Sequence, residues 1–395
     1  MDLYEIKDSL EKHLSEKTNE LFDLQDKIYL YDLTNTYFEG RRVKSKLAKY
    51  GRSKEKRSDC KLVVLALVVN VEGFIKYSNI FEGNTSDNAT LPRIIDNLRS
   101  QTSEEKRAIV VIDAGIATND NLKLIQAKGY DYVCVSRSKI KDYTVNKDGV
   151  IRHLMTKNNQ FITLQKIEKE EEIDYVLKVK STGKQAKESS MKSKFEDNFL
   201  VEINKIKSSL DKKNGIKRAE KVNQRIGRAI EKYPSAAKFF DIKVVVNNEI
   251  ATGIEYTKKK YSELDDQELG CYFIKTNLNT ENEISLWTIY NSIREIESTF
   301  RCLKNNLDLR PVYHKNDNAT MAHLHLGILA YWLVNTIRHQ LKQQKINHNW
   351  QEIVRITNTQ KIVTSSGQNK DDEIMYIRRC TEPSDKVKQI YTALN

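Results

Sequence analysis

The chain has 395 residues, of which 39% are hydrophobic and 30% are charged, and its formal net charge at pH 7 is +12. This composition excludes a disordered chain, and no apolar run is long enough to predict a membrane-spanning helix. Five scattered cysteines without a CxxC pair disfavour both a disulfide framework and a zinc knuckle. The length predicts two or three domains, and the positive charge favours a polyanionic partner without identifying it.

The first third of the chain has the pattern of a mixed sheet with helices on its faces. In chain order we expect a helix at 5–22, strands at 27–33, 61–71 and 74–83, a helix at 89–99, a strand at 108–113, a helix at 118–129 and a strand at 130–137. The almost entirely aliphatic run at 61–71 is typical of a strand buried on both faces. Asn84 and Asp87 are expected to form a turn and a helix cap, and Thr118 to cap the later helix.

The composition changes after residue 137. The segment 138–280 is rich in lysine, and 178–233 alone contains 16 Lys or Arg and 7 Asp or Glu, a net charge of +9. Strand-like runs follow at 242–250 and 271–278. Because so long a segment cannot be a simple loop, we expect a β-rich subdomain inserted into the sheet. The basic stretch either follows a DNA backbone or forms a solvated surface.

Helical periodicity returns at about residue 283 and continues to about 344, and two helical pieces joined by a polar link follow it. The domain prediction has five parts: an N-terminal helix (1–26), the first part of the α/β core (27–137), the basic insertion (138–280), the last part of the core (281–345) and a C-terminal tail (346–395).

Two aspartates end apolar strands in this pattern. Asp32 follows the first strand, in IYLYDLTNTYFEG, and Asp113 follows a later one, in IVVIDAG. A carboxylate there is costly unless it leaves the sheet or meets a cation. Each aspartate taken alone is at least as typical of a turn as of a ligand.

A third acid, Glu297, belongs to the predicted helix SLWTIYNSIREIESTFRCLKNNL. The polar residues that share its stripe at helical spacing are Tyr290, Arg294, Arg301 and Lys304. The stripe is either a surface laced with salt bridges or a metal-binding carboxylate beside cations that contact phosphate. Three carboxylates from separate elements that converge on Mg²⁺ or Mn²⁺ are what two-metal phosphoryl transfer requires. The scarcity of clustered His and Cys disfavours zinc.

Several segments, in order, resemble the DDE transposases of bacterial insertion sequences. They are YDLTNTYFEG, GRSKEKRSD, FEGNTSD, VIDAG, the helix from Tyr290 to Lys304, RPVYH and AHLHLGILAYWL. The helix is similar to that of the branch that carries a Tyr-Arg-Glu-Lys signature. The resemblance extends from Lys27 to about His339. It implies a ribonuclease-H-like mixed sheet flanked by helices and interrupted by a β-rich insertion subdomain.

The resemblance also implies roles for individual residues. Asp32, Asp113 and Glu297 would hold two Mg²⁺ (or Mn²⁺) ions and be the catalytic acids. Tyr290 and Lys304, which stand at the signature offsets from Glu297, would hold the DNA backbone at the transposon end.

The signature arginine is where this sequence departs from the family pattern. Its position is occupied by Ile293, which belongs to the apolar stripe of the predicted helix. Arg294 is one position along, on the polar stripe, and is the expected replacement. Arg301 on the same stripe, and the basic pair Lys54 and Arg57 before the buried strand, are further candidates for DNA contact.

The function implied by the resemblance is Mg²⁺-dependent cleavage of transposon-end DNA and strand transfer into target DNA, by a homodimer that holds two ends. We expect it in the cytoplasm, associated with the nucleoid. Only 31 residues precede Asp32, where such proteins carry an end-binding region, so we expect an N-terminally short chain. The alternatives are a metal-dependent nuclease of the same fold without strand transfer, and a truncated DNA-binding regulator of a full-length transposase.

Overall fold

The structure is a computed structural model that describes residues 2–101, 108–137, 140, 143–145, 151–156, 158–168, 174–259, 268–278 and 282–395. The chain divides into two compact units. The first unit combines Met1–Ser138 with Lys275–Asn395, and the second unit is Lys139–Ile274. The chain therefore leaves the first unit and later returns to it. The insertion predicted from the sequence covers residues 138–280.

The described helices, in chain order, are α1 Asp2–Glu5, α2 Lys7–Phe22, α3 Asp87–Gln101, α4 Asn119–Ala127, α5 Thr182–Leu210, α6 Ala219–Lys232, α7 Pro234–Ala237, α8 Glu283–Asn291, α9 Arg294–Asn306, α10 Asp317–Gln343, α11 Trp350–Thr357 and α12 Asp385–Leu394. The described strands are β1 Ile28–Tyr37, β2 Leu62–Asn70, β3 Ile75–Glu82, β4 Ile109–Ile112, β5 Asp131–Val135, β6 Thr144–Val145, β7 Arg152–Met155, β8 Phe161–Glu168, β9 Tyr175–Ser181, β10 Phe240–Asn247, β11 Ile250–Lys258, β12 Cys271–Thr276, β13 Ile362–Gln368 and β14 Ile374–Cys380.

The first unit is built on a mixed sheet in the order β3-β2-β1-β4-β5. β1 pairs antiparallel with β2 and parallel with β4, and β4 pairs parallel with β5. All 9 residues of β2 are buried, because this aliphatic strand lies inside the sheet with both faces covered. This arrangement confirms the predicted mixed sheet flanked by helices.

One face of this sheet packs on α3 and α4. The helices contribute the buried residues Leu91, Ile94, Ile95, Leu98, Leu122 and Ile125 to the core. The predicted cap of α4 is confirmed, since the Thr118 side chain accepts a hydrogen bond from the Asn121 backbone N–H. Gly129 has a φ of +84°, which favours glycine and ends the helical turn before β5. The packing fixes the direction of β4 beside β1.

Helix α2 meets β3 through buried charges. The Glu11 carboxylate accepts hydrogen bonds from Lys7 Nζ at 3.1 Å and from the Ser78 backbone N–H at 3.0 Å. Nearby, Lys76 Nζ lies 2.9 Å from the Asp26 carboxylate. Burial raises the pKa of Glu11, and the Lys7 charge opposes that rise. Because a buried ion is costly without its partner, each charge here depends on the others.

Replacing Glu11 with Ala should therefore destabilise the first unit. The change removes the buried partner of Lys7 and the acceptor of the Ser78 N–H, and leaves Lys7 only the more exposed Asp8 carboxylate at 3.0 Å, so we expect the free energy of unfolding to fall by about 2–4 kcal/mol. Denaturant unfolding followed by circular dichroism measures this loss. The exposed ion pair Lys17–Glu20, with a 2.7 Å N–O distance, provides the control. Glu20→Ala should leave the unfolding midpoint unchanged, and an equal effect of the two variants would contradict the account.

The second unit contains strands and long helices. β8 pairs antiparallel with β9, and β10 with β11. The insertion, expected to be β-rich, also holds the 29-residue α5 and the 14-residue α6, which carry much of the lysine-rich stretch. The apolar residues Phe199, Ile203, Val222 and Ile226 of these helices form one core with Phe240 and Ile254 of the β10–β11 hairpin.

The prediction of a single strand at 242–250 is wrong. β10 ends at Asn247 and β11 begins at Ile250, because Asn248 and Glu249 have φ values of +47° and +63° and reverse the chain. Two consecutive residues with positive φ are the pattern of a tight hairpin turn.

The last elements of the first unit form a separate small core. α10, α11 and α12 bury Leu341, Ile353, Ile356, Val387 and Ile390 against one another. The link between α11 and α12, expected to be merely polar, forms the exposed hairpin of β13 and β14. Over the described part of the chain, no helix combines the length and apolarity needed to cross a bilayer.

Candidate active site

The two aspartates singled out in the sequence lie on neighbouring strands. In the parallel pairing of β1 with β4, Tyr31 lies opposite Ile112, the last residue of β4. Asp113 follows Ile112 directly, as predicted. The prediction that Asp32 ends its strand is wrong, because β1 stays paired with β2 as far as Tyr37. The fold thus places Asp32 and Asp113 next to each other at the point where the pairing of β1 with β4 stops.

Asp32 is the more enclosed of the two. Its side chain is 21% exposed, whereas Asp113 is exposed to solvent. Burial raises the pKa of Asp32 to about 6, and the negative charges of Asp113 and Asp87 add to the rise. The Lys54 charge and a hydrogen bond with the Leu33 backbone oppose it. A second cation at this edge would therefore favour the ionised form of Asp32.

An open cleft of about 420 Å³ joins Asp32 to the helix that carries the third acid. Its lining residues are Asp32, Leu33, Thr34, Lys54, Glu55, Glu297, Phe300, Arg301, Lys304, Asn305 and Arg310. Carboxylates and cations thus share one cleft between the middle of β1 and α9. Of the predicted acids, Asp32 and Glu297 line this cleft, while Asp113 adjoins Asp32 along the sheet edge.

Lys54 places a cation on the Asp32 carboxylate. Its Nζ lies 3.7 Å from Asp32 Oδ1 and donates a hydrogen bond to the Leu33 carbonyl. The loop that carries Lys54 is tied to β1, because Asn35 Nδ2 donates to the Arg52 carbonyl at 2.9 Å. A positive group is therefore accepted at the position where the sequence analysis expects a metal ion.

Close backbone packing fixes the start of this loop. A Cβ atom on Gly51 would lie 2.0 Å from the Gly83 carbonyl oxygen, so only glycine fits there. Lys49 and Leu62 exchange backbone hydrogen bonds at 3.2 and 2.7 Å just before it. These contacts hold the loop against the edge of β2, near the end of β1.

The opposite wall of the cleft pairs cations with Glu55. Lys304 Nζ lies 3.2 Å from Glu55 Oε1, and the Arg310 guanidinium contacts the same oxygen. Arg310 also donates to Asn305 Oδ1 at 3.1 Å. The pKa of Lys304 is lowered to about 8. Burial is the main cause and the nearby Lys54 charge adds to it, while the Asp32 charge opposes the shift.

The helix predicted to carry the whole signature is broken in two. α8 ends at Asn291 and α9 begins at Arg294. The Ser292 hydroxyl donates to the Ile289 carbonyl at 2.6 Å, and the Ile293 N–H bonds only three residues back, to the Tyr290 carbonyl. Such local bonding of serine competes with the regular helix ladder.

The break separates the members of the expected polar stripe. Glu297, Arg301 and Lys304 on α9 line the cleft, whereas Tyr290 on α8 and the exposed Arg294 are outside its lining. The structure thus brings three of the five stripe residues together.

The other basic candidate, Arg57, lies beside the cleft and is paired. Its guanidinium donates to the Asp59 carboxylate through Nε and Nη2, both at 2.8 Å. It also lies 4.7 Å from the centre of the Tyr37 ring. These contacts hold Arg57 against the last residue of β1.

The oxygen donors of this edge suit a hard divalent cation. The Lys54 ammonium on Asp32 shows that the position accepts positive charge. Among the described residues, no three His, Cys, Asp or Glu side chains lie close enough together to hold a metal ion. Asp32, Asp113 and Glu297 thus supply the right type of ligand, but in this structure their carboxylates do not converge on one position: Glu297 lies across the cleft from Asp32, and Asp113 is outside the cleft lining.

A family profile described as Transposase DDE domain matches residues 24–333, which contain the sheet, both aspartates and Glu297. The chain belongs to this family of transposases. No curated protein sequence matches it.

Similar solved structures include a complex of paired ends with the Mos1 mariner transposase and Mn, at 12% identity and a TM-score of 0.21 over 33% of this chain and 42% of that chain. The catalytic domain of the Mos1 mariner transposase is 10% identical, with a TM-score of 0.20 over 33% of this chain and 60% of that chain. A piggyBac transposase synaptic complex with hairpin DNA is 10% identical, with a TM-score of 0.25 over 92% of this chain and 65% of that chain. In each case less than two thirds of the other chain is covered.

Sequence reasoning missed three residues of this transposase site. Glu55 and Arg310 lie within the motifs GRSKEKRSD and RPVYH, which carried the family resemblance without a role for either side chain. Asp87, expected to be a cap, is close enough for its charge to affect the pKa of Asp32. Since none of the three ends an apolar strand or continues a helical stripe, periodicity gives no signal for them.

The depressed pKa of Lys304 has a direct chemical consequence. An amine with a pKa of about 8 becomes neutral, and so nucleophilic, at a lower pH than an ordinary lysine. We expect competitive acetylation with mass spectrometry to show Lys304 labelling level off above about pH 9, while that of the exposed Lys17 still rises. Lys54→Met should move the Lys304 midpoint upward, because it removes a neighbouring positive charge. Identical profiles for Lys304 and Lys17 would contradict this.

Proposed function

We propose that the chain is the catalytic core of a DDE transposase, which cleaves transposon-end DNA and transfers the strand into target DNA. One observation carries the proposal: Asp32 and Glu297 line a single cleft together with the cations Lys54, Arg301, Lys304 and Arg310. A DNA backbone is anionic and its cleavage centre needs carboxylates for metal, so both the acids and the cations of this cleft have a use in that reaction.

The metal-binding residues in this proposal are Asp32, Asp113 and Glu297. Two Mg²⁺ (or Mn²⁺) ions bound there would supply activation of the attacking oxygen and stabilisation of the leaving oxygen. The surroundings of Asp32 support the assignment, because its carboxylate is partly enclosed and already accepts the Lys54 ammonium.

The proposed DNA contacts come from two groups of residues. Lys304 and Arg301 line the cleft itself and would hold phosphates next to the reacting bond. Tyr290 and Arg294 precede them along the chain and would contact the backbone farther out, and Arg57 would do so beside β1. Lys54 would exchange its contact with Asp32 for a phosphate.

Beyond the cleft, α5 and α6 of the second unit would follow the DNA backbone through their lysines and arginines. The proposed assembly is a homodimer on two transposon ends, at work on the nucleoid in the cytoplasm. The same cleft would also serve a nuclease that cleaves without joining. An assay that detects joined product separates the two functions, and a truncated regulator would bind DNA without cleaving it.

Loss of any one proposed metal ligand should abolish the reaction. We expect Asp32→Asn, Asp113→Asn and Glu297→Gln each to reduce Mg²⁺-dependent cleavage by at least about a thousandfold, because metal ions contribute several kcal/mol to the transition state. The substrate is a supercoiled plasmid that carries the DNA flanking the gene, and gel analysis measures nicked and joined products.

Asp120→Asn is the matched control, since Asp120 is an exposed aspartate in the first turn of α4. It should cleave like the wild type. Equal cleavage by the wild type and all three site variants would remove the basis of the proposal.

The pH dependence of DNA binding tests Lys304 separately from catalysis. Its pKa is lowered to about 8, so the side chain is charged below that pH and neutral above it. In EDTA, we expect the affinity for a 24-base-pair duplex to fall between pH 7 and 9, with a loss of about one unit in the salt slope. Fluorescence anisotropy measures both. Lys304→Arg keeps its charge and should bind with little pH dependence, and parallel curves for the two proteins would refute the role of Lys304.

A further inference from the structure

The cationic wall of the cleft already holds an anion of the chain itself. Glu55 Oε1 lies 3.2 Å from Lys304 Nζ and contacts the Arg310 guanidinium. The side chains of Glu55 and Arg310 are each 24% exposed and that of Lys304 is 13% exposed. A carboxylate held between an ammonium and a guanidinium in a partly enclosed cleft has the surroundings that proteins offer to phosphate.

Arg310 is held rigidly at this wall. The next residues bond to the end of β1: the Val312 N–H donates to the Tyr37 carbonyl at 2.9 Å, and the Val312 carbonyl accepts from the Glu39 N–H at 3.1 Å. On its other side, the guanidinium donates to Asn305 Oδ1. A guanidinium fixed at its backbone and at its head group loses little entropy when it binds an anion.

The α9 helix itself lacks a guanidinium where the family signature has one. Ile293 stands there, at the break between α8 and α9, and Arg294 is exposed and outside the cleft lining. Arg310, which follows α9 in the chain, lines the cleft with Glu297 and Lys304. Arg301 of α9 also lines the cleft, but among the contacts that the structure gives, the guanidinium that shares Glu55 with Lys304 is that of Arg310.

We infer that Arg310 and Lys304 form a binding pair for a DNA phosphodiester, and that Glu55 occupies this pair when DNA is absent. The inference rests on the proposed function and adds to it a phosphate-binding residue and an internal competitor. Glu55 and Lys54 are neighbours in one loop, and Lys54 contacts Asp32. Displacement of the loop would therefore free the phosphate pair and the Asp32 carboxylate together.

Anisotropy titrations of a fluorescein-labelled 24-base-pair duplex of arbitrary sequence, in EDTA, test this pair without catalysis. Arg310→Gln should bind about tenfold more weakly than the wild type and lower the salt slope by about one. Arg355→Gln is the matched control, since it removes an exposed arginine on α11 that is paired with Glu352. It should have a smaller effect on both quantities.

The competitor makes the opposite prediction. Glu55→Gln removes the carboxylate that holds Lys304 and Arg310, so it should tighten binding about threefold to tenfold, while Glu382→Gln, a change of equal charge at an exposed position, should do less. In the double variant Glu55→Gln with Arg310→Gln, the gain should shrink, because Glu55 acts through Arg310. This arm remains decisive if Arg310→Gln alone folds poorly.

Three results would overturn the inference: Arg310→Gln that binds like Arg355→Gln, Arg294→Gln that causes the larger loss, or Glu55→Gln that binds no tighter than Glu382→Gln. The proposed function fails separately. If the wild type gives no metal-dependent cleavage of the flanking DNA, the transposase proposal is wrong. If it cleaves and the Arg310 and Glu55 variants bind as their controls do, only this inference is wrong.

Discussion

The enclosed negative charge of Asp32 is the constraint on which the rest of the site depends. The carboxylate stands within β1, beside the fully buried β2 and where the pairing with the short β4 stops, and nearby positive charge favours its ionised form. Its pKa is raised to about 6 by burial and by two neighbouring aspartates. In the structure Lys54 supplies positive charge next to Asp32, and a divalent ion would stabilise the ionised carboxylate more strongly.

The demand for a cation explains the arrangement of the surrounding loop. Gly51 packs closely against Gly83, and Arg52 accepts a hydrogen bond from Asn35. These contacts position Lys54 beside Asp32. The next residue, Glu55, then falls on the cationic wall formed by Lys304 and Arg310. Two adjacent residues of one loop thus each neutralise an opposite charge of the cleft: Lys54 pairs with Asp32, and Glu55 pairs with Lys304 and Arg310.

The same electrostatics sets the properties of the cationic wall. Lys304 is mostly buried, and Lys54 lies near enough to lower its pKa further. A lysine in this state gains from any anion that enters the cleft, whether it is a carboxylate or a phosphate. The site thus combines carboxylates that can bind cations with cations that can bind anions. A DNA phosphoryl-transfer centre uses this combination.

Sequence reasoning predicted what depends on periodicity. The aliphatic run of β2 predicted a strand buried on both faces, and the apolar run before Asp113 predicted that this residue follows a strand. The end of β1 at Asp32 was predicted wrongly, because the polar residues after it, such as Thr34 and Asn35, stay paired with β2. The turn at Asn248 was not predicted, because strand propensity continues on both sides of it.

Other features depend on contacts that periodicity does not encode. The break before α9 escaped because it depends on the hydrogen bond of the Ser292 hydroxyl to a carbonyl within an otherwise regular pattern. The positions of Glu55 and Arg310 in the cleft were not predicted, because both residues belong to loops that are placed by contacts distant in sequence. The hydrogen bonds of Val312 with the end of β1 are an example. The position of a side chain in a loop follows from tertiary packing, which no local pattern contains.

The most direct test of the central claim is an anomalous difference map from crystals of the full chain soaked in Mn²⁺. The account predicts manganese density at the carboxylates of Asp32, Asp113 and Glu297, with the Lys54 ammonium displaced from Asp32. Crystals that bind manganese elsewhere, or that leave this edge empty with Lys54 still on Asp32, would contradict the assignment of the cleft as a metal-dependent centre.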